Sequence, residues 1–305
     1  MACTNPNYAR IIYIEPDTHK KHIKFIPRRA DGYARHLLED KYGKENILAL
    51  PCGKCLSCRL AYAKEWAIRC VLEAKSWQHN YFITLTYDNS HVGDNKLSRR
   101  DLQLFLKRLR KSIPDIRYFG CGEYGSTTGR KHYHLILFNC EIKDLKLIGH
   151  AGQGAYFDSQ FLKDTWSKGN ILITEFSYST ASYIARYTTK KINRNVPDEF
   201  ICMSLKPGLG YSYFEKNYKD IYDVDRIYGQ FGNSSKVSPP RYFDRLLEKL
   251  DFEKFCEIKK NRINSAQVDS LDFLIKHNLN WFDEAYSVQS DLLGNRIKNN
   301  LKRGL

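Results

Sequence analysis

Two stretches rich in β-formers, Ile116 to Tyr124 and His132 to Phe138, are separated only by Gly125-Ser126-Thr127-Thr128-Gly129. A connection that short, made of turn residues, sets the two runs side by side as an antiparallel hairpin. If the hairpin is symmetric about its turn, Glu123 stands opposite His132 with Cβ atoms ~5 Å apart on one face. Alternation along the second strand sends both imidazoles, His132 and His134, to that same face and Tyr133 to the other.

The flanking pattern extends this hairpin into a domain. A helical pattern runs from about Cys58 to Trp77, and Tyr81 to Tyr87 reads as a mostly buried strand ending at Asp88-Asn89-Ser90. Leu97 to Ser112 reads as a helix, with Leu102, Phe105, Leu106 and Leu109 at spacings of three and four and Pro114 as its stop. Phe157 to Trp166 looks helical, Asn170 to Phe176 like a strand, and Thr180 to Ile192 like a helix that Ser and Thr residues can cap. A hairpin with segregated helices favours an α+β fold with a central antiparallel sheet of about five strands over a doubly wound parallel one. The expected organisation is an N-terminal segment over 1–60, a core over 61–195 and a C-terminal extension over 196–305. The extension is rich in turns and aromatics at first, then helical and basic from Tyr242.

Charge narrows the partners. Lys and Arg number 49 against 34 Asp and Glu, a net charge of +15 that points to a polyanion, above all nucleic acid. No stretch approaches the ~20 apolar residues of a membrane span, and the N-terminus lacks a secretory apolar core, so a cytoplasmic location without membrane attachment is expected. In that compartment the nine cysteines are expected as thiols or metal ligands, not disulfides.

Three constellations carry chemistry. His132, His134 and Glu123 form a two-imidazole, one-carboxylate set with open positions. That set suits Mn²⁺, or Mg²⁺ completed by water and a phosphate oxygen, better than a closed zinc site. Tyr183 and Tyr187 lie four apart on the predicted helix, on one face within ~6 Å, and Lys190 and Lys191 continue that stripe. Most tyrosine pairs at this spacing are half-buried core, but the lysine extension argues for phenols that work on phosphate: a nearby cation stabilises charge developing there. Cys52, Cys55 and Cys58 stand at metal-ligand spacing, and a fourth ligand, Cys3 or else His79, would complete a structural zinc site. An iron-sulfur cluster is disfavoured, because Tyr62 occupies the place of the next cysteine. Arg130, Lys131 and Arg186 are candidate DNA phosphate contacts.

Taken in order, Phe82-Ile83-Thr84-Leu85-Thr86, His132-Tyr133-His134 and Tyr183-Ile184-Ala185-Arg186-Tyr187-Thr188-Thr189-Lys190-Lys191 resemble the three motifs of HUH-superfamily rolling-circle replication initiators. The paired tyrosines are similar to the two-tyrosine branch of microviruses. The Met1-x-Cys3 start, the Pro51-Cys52-x₂-Cys55-x₂-Cys58 segment, Lys206-Pro207-Gly208 and Pro239-Pro240-Arg241-Tyr242 resemble the gokushovirus type. The likeness covers nearly the whole chain, loosely over the last sixty residues. It implies the HUH endonuclease fold, with the histidine pair on a central strand and the tyrosine helix packed across the sheet. It also implies origin-specific nicking and rejoining of viral DNA through a covalent 5′-phosphotyrosine, leaving a free 3′-hydroxyl primer. Because the chain has no Gly-x₄-Gly-Lys-Ser/Thr phosphate loop, a host helicase, together with a host polymerase, would be its partner in the bacterial cytoplasm. No small-molecule substrate is expected. The competing expectations are an HUH transposase or relaxase, or a zinc-stabilised, non-catalytic origin-binding protein.

Overall fold

The computed structural model describes residues 3–16, 20–28, 34–125, 127–151, 154–190 and 199–302, with side chains throughout these ranges except at 151, 187–190 and 299–302. In chain order the elements are β1 (Asn7–Ile14), β2 (Lys21–Phe25), α1 (Arg35–Tyr42), β3 (Ile47–Leu50), α2 (Leu56–Ala74), β4 (Asn80–Thr86), α3 (Arg99–Ser112), β5 (Arg117–Tyr124), β6 (Lys131–Phe138), β7 (Lys146–Ala151), β8 (Gly154–Asp158), α4 (Gln160–Trp166), β9 (Ile171–Glu175), α5 (Tyr178–Lys190), β10 (Phe200–Met203), α6 (Tyr211–Val224), β11 (Ile227–Phe231), β12 (Ser234–Val237), α7 (Arg241–Leu250), α8 (Phe252–Lys276) and α9 (Phe282–Lys302). The chain divides into two compact units, 62–256 and 1–61 with 257–305.

In the larger unit a seven-stranded sheet runs in the order β10-β5-β6-β4-β9-β8-β7, with every neighbouring pair antiparallel. The fold is thus the α+β, antiparallel-sheet architecture expected, enlarged beyond about five strands by the β7–β8 hairpin and by β10. Strand β10 reaches the sheet because Gly122 of β5 leaves room for it: a Cβ there would meet the Phe200 ring at 2.8 Å. For the same reason this unit continues past residue 195 as far as Cys256.

Period-2 alternation splits β6 between two cores. Tyr133, Leu135 and Leu137 join Ile83 and Leu85 of β4 against Leu102, Phe105, Leu106 and Leu109 of α3 and Leu162 and Trp166 of α4. On the opposite face Ile136 and Phe138 pack with Phe119 and Cys121 against Ala63, Ala67, Cys70 and Ala74 of α2 and Ala181, Ile184 and Ala185 of α5. The sheet therefore lies between two helical layers, and the small residues of α2 and α5 let those helices approach closely.

Local chemistry sets the helix ends. Ser98 caps α3 by accepting the Asp101 N–H at 3.1 Å. Helix α4 starts later than the expected Phe157, because 157 and 158 remain in β8 and Ser159 caps the helix through the Leu162 N–H. Asn80 donates to the Ala74 and Trp77 carbonyls, so α2 stops at Ala74 and Trp77 lies beyond it.

In the smaller unit, β2-β1-β3 form a three-stranded sheet. Its core is Tyr8, Leu38 and Ile47, with Ile26, Tyr42 and Tyr286 packed against them. Asp283 ties α9 to both, accepting from the Tyr8 hydroxyl at 3.0 Å and from the Arg35 N–H at 3.0 Å. Among the described residues no helix is long and apolar enough to cross a membrane.

Candidate active site

Pairing of β5 with β6 sets Glu123 against His132 and Cys121 against His134. The turn between them closes through Gly125 N–H to the Arg130 carbonyl and Gly129 N–H to the Gly125 carbonyl. Gly129 takes φ +64°, a left-handed conformation that glycine adopts at little cost. Glu123 is almost fully buried and His134 nearly so.

One carboxylate oxygen organises the centre. Glu123 Oε1 lies 2.9 Å from His132 Nε2, 2.9 Å from His134 Nε2 and 3.1 Å from the hydroxyl of Tyr183. The far nitrogens of both rings are held as well: His132 Nδ1 lies 3.1 Å from the Arg130 carbonyl, and His134 Nδ1 lies 2.9 Å from Thr84 Oγ1. A carbonyl can only accept, so His132 Nδ1 carries a hydrogen, and its Nε2 meets the carboxylate through either a proton or a cation. Burial opposes the charged form of His132, but its hydrogen bonds to Glu123 and to the Arg130 carbonyl outweigh that, so its pKa lies above the ordinary imidazole value. His134 is buried more deeply, and burial holds its pKa below that value. The three ligand atoms lie within 4.8 Å of one another, and the group could hold a metal ion. Each imidazole is oriented through its second nitrogen, as ligating histidines usually are.

Helix α5 brings Tyr183 to this centre. Ser177 and Thr180 cap it reciprocally: the Thr180 N–H donates to Ser177 Oγ and the Ser177 N–H to Thr180 Oγ1. Burial of Ala181, Ile184 and Ala185 against the sheet turns the Tyr183 edge toward the histidines. The Tyr183 ring stands perpendicular to His134, with centroids 5.1 Å apart, and makes a T-shaped contact with Phe82. The exposed Arg186 guanidinium sits 5.6 Å from the Tyr183 ring centroid. Tyr187 and Lys190 lie on α5 with side chains outside the described residues, and Lys191 lies wholly outside them.

The cationic residues beside the histidines part company. Arg130 is exposed and braced by the Asn89 side chain and the Tyr87 carbonyl. Lys131 corrects the expectation of a phosphate contact. It is buried on the opposite face of the sheet from the histidines, with its ammonium donating to the Lys96 carbonyl and lying 4.3 Å from the Tyr87 ring centroid. Thr84 and Phe82 were not singled out as site residues from sequence. Their signal was the alternation of Phe82-Ile83-Thr84-Leu85-Thr86, which faces Phe82, Thr84 and Thr86 with the histidines.

A second cluster lies in the smaller unit. The Sγ atoms of Cys3, Cys52, Cys55 and Cys58 all fall within 4.8 Å of one another, and the four could hold a metal ion. Cys3, not His79, is the fourth member. Backbone N–H groups surround the sulfurs: Cys55 N–H points to Cys52 Sγ at 3.2 Å, Cys58 N–H to Cys55 Sγ at 3.4 Å and Cys52 N–H to Cys3 Sγ at 3.3 Å. Burial resists ionisation of Cys55, yet N–H donors from Cys58 and Thr4 bring its thiol down to about 6. A thiolate so stabilised is ready to ligate. All nine cysteines are free.

A family model for replication-associated proteins of the ORF2 kind matches residues 80–192, which include β4, the β5–β6 hairpin and α5. The chain is 34% identical over 225 residues to replication-associated protein VP4 of Bdellovibrio phage phiMH2K, a match covering 68% of this chain and 70% of that protein. It is 35% identical over 251 residues to replication-associated protein ORF2 of Spiroplasma virus 4, covering 73% and 78%. A third relative, replication-associated protein ORF4 of Chlamydia phage 1, is 31% identical over 68% of this chain and 55% of its own length. No solved structure matches. With identities and coverage of this size, the chain belongs to the replication-associated proteins of microviruses, of the gokushovirus type, and has a role in viral replication.

Proposed function

We propose that the chain is an origin-specific DNA-nicking and strand-joining initiator of rolling-circle replication. The observation that carries this reading is the convergence of two histidines, a buried glutamate and a tyrosine hydroxyl on one point: Glu123 Oε1, with its partners 2.9 to 3.1 Å away. A buried carboxylate facing two imidazoles and a phenol is a costly arrangement for a core, and it fits a divalent cation bound by His132, His134 and Glu123. When bound, Mg²⁺ or Mn²⁺ would polarise the scissile phosphate.

The chain's own residues do the rest. Thr84 and the Arg130 carbonyl fix the two rings, and the capped helix α5 holds Tyr183 beside them. The Tyr183 Oη attacks phosphorus in line, an O–P bond forms and the P–O3′ bond breaks. The departing oxygen becomes a 3′-hydroxyl, its proton balancing the one lost by the phenol. The product is a 5′-phosphotyrosine and a primer for the host polymerase. Tyr187, four residues on, serves as the second nucleophile after one round, and rejoining needs no ATP because the phosphotyrosine keeps the energy of the broken diester. Lys190, Lys191, Arg130 and Arg186 are assigned to phosphate contacts. The four-cysteine cluster is assigned to structural Zn²⁺, which four thiolates favour. The DNA substrate is the single-stranded or opened replicative-form origin, a host helicase extends the opening, and the site of action is the cytoplasm of the bacterial host.

The test is an end-labelled single-stranded oligonucleotide from the phage origin, incubated with Mn²⁺ and assayed for a protein–DNA adduct that survives boiling in detergent. The expected adduct disappears with EDTA and in the Tyr183→Phe/Tyr187→Phe variant. Persistence of the adduct in that variant would overturn the assignment of the nucleophiles.

A further inference from the structure

We propose that the β1–β2 ribbon is a duplex-DNA-binding arm, separate from the nicking centre, that lies in the major groove. The proposal goes beyond the nuclease reading and rests on it only in taking DNA as the partner. Strand β3 pairs with β1 only from Asn7 to Arg10, so Ile11–Ile14 has β2 alone for company. Beyond that point the ribbon is two-stranded and exposed on both faces. Ile12, Tyr13 and Ile14 are 59%, 53% and 45% exposed, and Phe25 is 59% exposed. Lysines on an edge strand are ordinary protection against unwanted pairing. Three consecutive exposed apolar residues on the neighbouring strand have no such explanation.

Register sorts the two faces. A shift between Ile11 and Tyr13 puts Tyr13 opposite His22, with ring centroids 5.7 Å apart, and Ile14 opposite Lys21. By alternation, Arg10, Tyr13, His22 and Lys24 share one face, while Ile14, Lys21, Ile23 and Phe25 share the other. Both faces thus combine cations with apolar groups, and between Arg10 and Arg28 the sequence has Arg10, Lys20, Lys21, Lys24 and Arg28 against only Glu15 and Asp17. The major groove, ~12 Å wide, admits a two-stranded β-ribbon and offers thymine methyls to apolar side chains. Phosphates line both walls, where flanking lysines meet them. The irregularity at Ile12 adds local twist, which helps a ribbon follow a groove.

The experiment uses the full chain and a fluorescein-labelled mixed-sequence DNA duplex of about two helical turns, read by anisotropy over a salt series. The Lys21→Ala/Lys24→Ala variant is expected to bind about tenfold more weakly near 0.1 M salt and to lower the slope of log K against log salt by about 2. Lys21→Arg/Lys24→Arg is expected to keep the wild-type slope. Covalent adduct formation on the single-stranded oligonucleotide is expected at the wild-type rate in both. An unchanged duplex affinity and slope in the alanine variant would overturn the arm, as would a weaker affinity with no change of slope. So would unchanged duplex binding with an Ile12→Ser/Ile14→Ser variant that shifts the mass in light scattering, which would assign the ribbon to a second copy of the chain. Failure of the nuclease reading is seen separately, as absence of adduct from the wild-type protein.

Discussion

Thr84 Oγ1 lies 2.9 Å from His134 Nδ1, across a register in which Thr84 of β4 stands directly opposite His134 of β6. The hydroxyl holds the imidazole so that Nε2 faces Glu123. Thr84→Val keeps the shape and removes that bond. It is expected to raise the Mn²⁺ concentration for half-maximal adduct formation by about 10- to 100-fold, the usual effect of losing an orienting partner of a ligating histidine. Thr84→Ser should stay near wild type. A Val variant with the wild-type Mn²⁺ requirement would remove Thr84 from the site.

The two histidines predict a particular pH dependence of metal binding. Ligation needs neutral Nε2, so protons compete wherever an imidazole is charged in the free protein. His134, depressed by burial, is already neutral near pH 7. His132 is opposed by burial, yet Glu123 and the Arg130 carbonyl raise its pKa above the ordinary value, so it is the ring that must lose a proton. Mn²⁺ affinity should therefore fall as pH drops from about 8 toward 6.5, at about one proton per metal. Mn²⁺ titrations followed by electron paramagnetic resonance across that range would show it. A dependence on two protons, or none, contradicts the assignment.

The site hairpin was legible in the sequence because two independent signals, the Gly-Ser-Thr-Thr-Gly turn and period-2 alternation, fix one register. Helix α3 was legible for a similar reason, since Leu102, Phe105, Leu106 and Leu109 all face the core. Strand β7 was not. Its Leu147 and Ile148 are consecutive and both exposed, so there is no alternation to read. Strand β10 has four residues and depends on a space left by a glycine far away in sequence. In α6 the buried Phe214, Ile221 and Tyr222 are too sparse for a stripe. Thr84 could be read as a strand residue, but its role depends on a cross-strand partner. Lys131 misled because its neighbours in sequence face the other side of the sheet.

Glu73 on α2 is buried and serves three donors: Arg117 Nε at 2.5 Å, the Trp77 indole N–H at 3.0 Å and the Gly210 N–H at 2.6 Å. It joins α2 to β5 and to the segment before α6. Glu73→Ala would leave a mostly buried guanidinium unpaired, so unfolding stability should fall by ~3–5 kcal/mol. Chemical denaturation would measure the loss, and a change below ~1 kcal/mol would mean that water replaces the carboxylate. Paired replacement, Glu73→Leu with Arg117→Met, should recover much of the difference.

The four-cysteine cluster should carry about one zinc per chain, released by a thiol-modifying reagent and detected with a chromogenic chelator. Cys55→Ser removes the thiol that backbone N–H groups hold at about 6. It should abolish stoichiometric zinc and lower the thermal transition. Cys140→Ser, at a thiol that burial pushes up to about 12, should leave zinc content unchanged. Full zinc retention in Cys55→Ser would exclude the cluster as the binding site.

Tyr183 and Tyr187 need not share the first transfer equally. The Tyr183 hydroxyl donates to Glu123 Oε1 at 3.1 Å and its ring stands edge-on to His134, so it is already beside the atoms that would hold the cation. Tyr183→Phe alone should therefore slow adduct formation on a single-stranded oligonucleotide by about a hundredfold or more, equal to ~2.7 kcal/mol of barrier. Tyr187→Phe should form the first adduct at close to the wild-type rate but fail to release a rejoined strand when a second origin oligonucleotide is added, because no phenol remains to accept the second cut. Single-turnover gels resolve both steps. If the two single variants lose the first adduct to the same extent, the tyrosines act together in the first transfer and the division of labour between them is wrong.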